Sequence, residues 1–264
     1  EHRRSYHQLM DKRIKNAFME EWLIRTGYVN EKELEERGNA LKIDIHRPRR
    51  ILIASVDELD TYKETQEGQS KIQKMENCID EFLKRYEGAV HFRNAMRQVI
   101  LVDRVSTADL VKVAQETAAY VYEKEKMRLN IGIDGGETNL HQAYLQAHRA
   151  WRTASDENDP IICYENLNLE LLLECVPTET KEEYMDKIFK ECTREEREDY
   201  IAMLHIYFKS EGSIQKTADA MYIHKNTLQY RLNKLKEMTG YDVRKPSESV
   251  ALFLAMRVAY DLNN

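Results

Sequence analysis

The stretch SIQKTADAMYIHKNTLQYRLNKLK, Ser213 to Lys236, is where the reading of this chain begins. Gly212 breaks whatever helix precedes it, and Ser213 is a hydroxyl N-cap able to accept a hydrogen bond from an early backbone N–H. Ala218 is small where two helices have to cross closely. Three residues separate Met221 from Lys225, where a second helix starts, and a connection that short is what a helix-turn-helix requires. With Leu228 set at zero and about 100° per residue, Leu232 falls near 40° and Leu235 near 340°, a narrow apolar stripe. The opposite face carries Asn226, Tyr230 and Asn233, flanked by Thr227, Gln229 and Lys234. Short polar and amide groups of this kind pair with base edges in a major groove, and cations around them hold phosphates. Arg231 stands beside the core stripe and suits a phosphate or a neighbouring carboxylate better than a base. An ordinary amphipathic hairpin with a solvated outer face would show the same stripe, so spacing alone leaves both readings open.

Outward from this segment, residues 180–192, 196–210, 213–221, 225–238 and 246–262 all have helical periodicity, and no strand signal follows Pro177. Residues 178–264 are therefore expected to form an all-α domain. Upstream the pattern alternates. Strands are predicted at 50–56, 88–92, 97–102, 128–133 and 161–164, and helices at 69–86, 106–126 and 138–154. This predicts an α+β domain over residues 50–167, a sheet with helices packed on it. Before it come a helix at 5–26, with Tyr6, Met10, Ile14, Phe18 and Trp22 at four-residue spacing, Gly27 as its cap, and a shorter helix at 31–41. His46-Arg47-Pro48-Arg49-Arg50 reads as a solvated basic linker, so residues 1–49 form a helical connector. The apolar stripe of 5–26 serves either to pack on the sheet domain or to associate with a second copy.

The chain has 264 residues, 42 % hydrophobic and 33 % charged, a composition that suits a soluble globular protein. No apolar run approaches a membrane span and no signal peptide is apparent, so a cytoplasmic protein with no membrane partner is expected. The first residue is not Met, which suggests a piece of a longer protein. Cys78, Cys163, Cys175 and Cys192 make no C-x-x-C pair and read as reduced thiols. The net charge of −6 conceals an uneven distribution. Residues 213–245 hold seven Lys and Arg against three Asp and Glu, a basic segment on an acidic body.

The run Ile223-His224-Lys225-Asn226-Thr227-Leu228-Gln229-Tyr230-Arg231-Leu232, with Thr239-Gly240-Tyr241-Asp242 after it, resembles the C-terminal helix-turn-helix of the PucR and sugar-diacid regulator (CdaR) families, over about residues 196–262. The "H-x-N-T-L-x-Y-R-L" string is specific, and His224, where Ser or Thr would ordinarily cap the helix, belongs to it. The resemblance implies a bacterial transcriptional regulator whose helix 225–238 reads an operator in double-stranded DNA. Lys225, Asn226, Thr227, Gln229, Tyr230, Arg231, Asn233 and Lys234 are the DNA-binding candidates. It further implies a small-molecule effector bound by an N-terminal domain absent from this chain, and, because one short recognition helix covers only a few base pairs, a homodimer is expected. The ending Leu41 to Arg49 looks more like the sugar-diacid branch, which points to a carbohydrate-diacid or related catabolic operon.

The order of elements over 50–165 resembles the GGDEF fold of diguanylate cyclases, of which these regulators carry a degenerate version. An active cyclase needs two glycines at the hairpin so that backbone can approach the phosphates, then carboxylates for magnesium. Here the hairpin reads Phe92-Arg93-Asn94-Ala95-Met96-Arg97. Asp57, Glu58 and Asp60 remain after the first strand, a weak metal site without hairpin partners, and Gly135-Gly136-Glu137 follows a different strand as a turn. No catalytic residue, metal site or cofactor is expected. A nucleotide-binding signalling domain, or a residual nucleotidyl-transfer enzyme on the same fold, is the alternative function.

Overall fold

The computed structural model describes residues 2–25, 30–56, 65–154 and 159–263. The cap expected at Gly27 and the carboxylates Asp57, Glu58 and Asp60 lie outside them. The chain divides into two compact units, Glu1–Leu167 and Asn168–Asn264.

The first unit opens with helices α1 (His2–Leu23) and α2 (Glu31–Ala40), then strand β1 (Arg49–Val56) and helix α3 (Gln66–Leu83). The hairpin β2 (Val90–Asn94) and β3 (Arg97–Asp103) follows, then α4 (Thr107–Glu125), β4 (Leu129–Ile133), α5 (Leu140–Thr153) and β5 (Ile161–Cys163). The strands make one sheet in the order β2-β3-β1-β4-β5. Strand β1 runs antiparallel to β3 and to β4, and β4 runs parallel to β5.

Every position of β1 is buried because helices cover both faces of the sheet. Successive side chains of a strand point to opposite faces. Leu52, Ala54 and Val56 accordingly meet Ile72, Met75, Ile79 and Phe82 of α3 and Leu110 and Val113 of α4. Ile51 and Ile53 meet Phe18, Met19 and Leu23 of α1 and Ala143, Tyr144 and Ala147 of α5. Burying each large side chain of this kind contributes ~1.5–3 kcal/mol. Gly132 of β4 allows α5 to lie directly on the strand, since a Cβ there would come 2.1 Å from the Trp151 backbone nitrogen and 2.2 Å from the Ala147 oxygen. Side chains also fix the helix starts: the Thr65, Ser106 and Asn139 side chains accept from the backbone N–H groups of Gly68, Asp109 and Gln142.

The stripe of α1 is split. Phe18 is buried in the sheet's core, whereas Met10 and Ile14 are 40 % and 54 % exposed. Lys12 ties the helix to α3 through Glu76 at 2.7 Å and Asp80 at 3.4 Å.

The second unit is helical: α6 (Leu169–Leu173), α7 (Thr178–Ile188), α8 (Arg194–Lys209), α9 (Ile214–Ala220), α10 (Lys225–Thr239) and α11 (Pro246–Asn263). Its core joins Met185 and Ile188 of α7, Met203, Leu204 and Tyr207 of α8, Ala218 of α9, the leucines of α10 and Leu252, Ala255 and Met256 of α11. A capping box starts α8, with Thr193 and Glu196 each bonding the other's backbone N–H. The architecture is α+β, a mixed sheet packed between helices followed by an all-helical C-terminal region. No described helix is long and apolar enough to cross a membrane.

Candidate nucleic-acid interface

The short helices α9 and α10 are held by local chemistry that the sequence specifies. The Ser213 hydroxyl accepts from the Lys216 N–H at 3.3 Å and starts α9. Tyr222, in the turn, adopts a left-handed φ of +55°, a conformation that costs a non-glycine residue about 1–2 kcal/mol. His224 is the N-cap of α10, its Nδ1 accepting from the Asn226 N–H at 3.2 Å. The far end closes at Gly240, φ +81°, whose N–H returns to the Lys236 carbonyl at 2.8 Å.

Between these caps Leu228, Leu232 and Leu235 are buried, so the narrow stripe is the packed face of α10. Lys225, Asn226, Thr227, Gln229, Tyr230, Asn233 and Lys234 are exposed, while Arg231 is half-buried on the flank. Tyr230, at 68 % exposure, leaves most of its ring in solvent.

Two of the candidates have partners that sequence reading missed. Lys234 lies 3.5 Å from Glu196, the capping-box carboxylate of α8. Asn233 accepts at Oδ1 from Arg244 at 2.8 Å. Arg244 in turn donates to both oxygens of Asp242, at 2.7 and 3.1 Å. The guanidinium, the Arg244 backbone N–H and Lys236 together hold the Asp242 carboxyl down at about 2. Arg244 figured only as one charge in a basic segment, and no periodicity connects it to Asn233. Tyr222, 96 % exposed in the turn, was likewise passed over.

In the sheet unit, the hairpin is tighter than its sequence suggested. Strand β2 continues through Arg93, paired with Gln98, and Asn94, paired with Arg97, leaving Ala95 and Met96 as the turn. Ala95 has a φ of +52°. Asn94 donates to Glu20 at 3.4 Å and Arg93 lies 4.0 Å from Glu76, so the groups in place of the two glycines are occupied within the unit. Gly135 and Gly136 make the turn after β4, with N–H groups donating to Gln146 and Asp134. Among the described residues no cluster of three His, Cys, Asp or Glu side chains is placed to hold a metal ion.

Comparison with known proteins supports the same two parts. Residues 26–153 match the GGDEF-like domain family, and residues 200–258 match the PucR C-terminal helix-turn-helix domain. The purine catabolism regulatory protein of Bacillus subtilis is 22 % identical over 94 % of this chain and 49 % of its own length. The carbohydrate diacid regulator of Escherichia coli is 21 % identical over 87 % of this chain and 62 % of its own. The chain thus spans about half to three-fifths of the length of these two relatives. A solved structure titled as a regulator of polyketide synthase expression, from Bifidobacterium adolescentis, covers 94 % of this chain and 97 % of its own at 17 % identity, with a TM-score of 0.35. Two separate parts of the chain thus match these two domain families.

Proposed function

We propose that this chain, which joins a GGDEF-like domain to a PucR-type helix-turn-helix, is the DNA-binding part of a transcriptional regulator that reads its operator with α10. The observation that carries the reading is the division of α10 itself: three leucines are buried and an amide-rich face is exposed over the same four turns. Asn226, Gln229 and Tyr230, in the first turns, face the base edges. Lys225, Lys234 and Arg231 supply positive charge beside them, Thr227 flanks them, and Asn233 completes the face toward DNA. In helix-turn-helix complexes it is the N-terminal residues of the recognition helix that meet bases.

The name of the Bacillus subtilis relative supports a catabolic operon, and that of the Escherichia coli relative, at nearly equal identity, a carbohydrate diacid as its signal. The narrower assignment to a carbohydrate diacid rests on the connector ending Leu41 to Arg49. Residues 178–264 are the DNA-binding domain in this reading, residues 50–167 a non-catalytic scaffold and residues 1–49 the connector. An effector would bind a domain outside this chain, and a homodimer would bind duplex DNA in the cytoplasm. Selection of fragments from genomic DNA tests the proposal. A recurrent sequence among retained fragments is expected, with binding that weakens steeply as salt rises because lysines and arginines release counterions from phosphates. Retention with no shared sequence would contradict operator reading.

A further inference from the structure

The geometry points to a second DNA contact at the far end of α10: a phosphate clamp made of Arg244 and Asn233 and aimed by Asp242. It rests on the reading of α10 as the DNA-facing helix and goes beyond it, because it assigns the two ends of that helix different work.

Arg244 lies in the loop between α10 and α11. Its Nε and Nη2 donate to the two oxygens of Asp242, which fixes the plane of the guanidinium. Nη2 also donates to Asn233 Oδ1 at 2.8 Å, across eleven residues of sequence. Arg244 Nη1 has no partner among the described residues. The Asp242 side chain is 9 % exposed and that of Arg244 34 %, so the orienting carboxylate sits behind the cation it holds. Lys236, 3.5 Å from Asp242, leaves the group with a net positive charge.

The consequence falls on Asn233. A side-chain amide recognises adenine with one donor and one acceptor together. With Oδ1 held by Arg244, Asn233 presents its N–H donors, beside the free Nη1 of Arg244. A surface offering donors and positive charge fits a ligand of acceptors only, and a phosphate of the DNA backbone is that ligand. Asn226 differs, since its side-chain amide has no partner among the described residues and keeps both functions. A step of seven positions from Asn226 to Asn233 puts them about 10 Å apart along the helix at about 1.5 Å per residue. The first two turns then read bases, while the third turn and the loop after the helix grip the strand that walls the groove.

The test compares the chain with Asn226→Ala, Asn233→Ala, Arg244→Gln and Arg244→Lys. Binding is measured against a duplex of the enriched genomic sequence and a scrambled duplex of equal length, over a series of salt concentrations. Thermal melts confirm that each variant folds. Asn233→Ala and Arg244→Gln should weaken both duplexes by the same factor, and Arg244→Gln should flatten the plot of log affinity against log salt by about one. Arg244→Lys, which keeps the charge but loses the fork, should restore most of the slope and only part of the affinity. Asn226→Ala should keep the slope and lose preference for the enriched duplex. A loss confined to the enriched duplex in Asn233→Ala, or an unchanged slope in Arg244→Gln, would overturn the clamp while leaving the reading of α10 intact. Failure of the unmodified chain to bind either duplex would overturn both. The slope needs only the scrambled duplex, so the clamp is tested whether or not an enriched sequence emerges.

Discussion

His148 is a side chain through which the sheet unit senses mild acid. Burial, and then the guanidinium of Arg97, push its imidazole down to about 4. Arg97 faces His148 Nε2 and also lies over the Trp151 ring, 5.1 Å from its centre. The neutral ring accepts from Arg97, and a protonated one would confront it. An unfolded His takes up its proton near pH 6.5, well before the folded one does. Between those values the unfolded chain binds more protons, so stability falls as pH drops from about 6.5 to about 4. Asp242, also depressed but as an acid, loses its contribution only below the ordinary carboxylate range, as pH falls toward about 2. The two windows are separate. In urea titrations the midpoint of the sheet unit should decline between pH 6.5 and 4, and His148→Gln should flatten that decline. An unchanged pH profile in the variant would assign the acid sensitivity to another group. None of this was visible in sequence, because Arg97 and His148 are far apart in the chain and meet only when α5 docks on the sheet.

Elements were legible where their signal is local. The leucine stripe of α10, the caps at Ser213 and His224 and the buried run of β1 are all written within a few residues, and the structure places them as read. Helix α6 was missed because Leu169–Leu173 is too short to establish a period. The end of β2 was missed because Arg93 and Asn94 are polar and resemble a turn, although their partners on β3 keep them in the ladder. Asn233 was read as one more outward amide, since its bond to Arg244 comes from the loop after the helix. The hairpin offers a test at this scale. Ala95 occupies a left-handed conformation that glycine adopts without cost. Ala95→Gly should stabilise the sheet unit by about 0.5–1 kcal/mol, the relief of strain exceeding the added entropy of the unfolded chain. A lower urea midpoint in Ala95→Gly would show that the turn is not under strain.

A recognition helix of four turns covers few base pairs, so one copy has little power to single out a site in a genome. The usual solution is a two-fold dimer whose recognition helices enter successive major grooves about 34 Å apart, over an inverted repeat. Helix α1 divides in a way that bears on this. Phe18, Met19 and Leu23 are spent on its own sheet, while Met10 and Ile14 are left in solvent. What remains is a small apolar surface, so a weak dimer tightened by DNA is expected. Sedimentation with an operator duplex should give two chains per duplex, and a single chain at saturation would exclude the two-fold arrangement. The central claim, that the exposed face of α10 reads sequence, is tested most directly by repeating the genomic selection with Asn226→Ala and Tyr230→Ala beside the unmodified chain. The account predicts a recurrent sequence for the unmodified chain and, for both variants, retention of DNA without that enrichment, a loss of about 1–3 kcal/mol of discrimination per base contact. Enrichment of the same sequence to the same degree by all three proteins would contradict it.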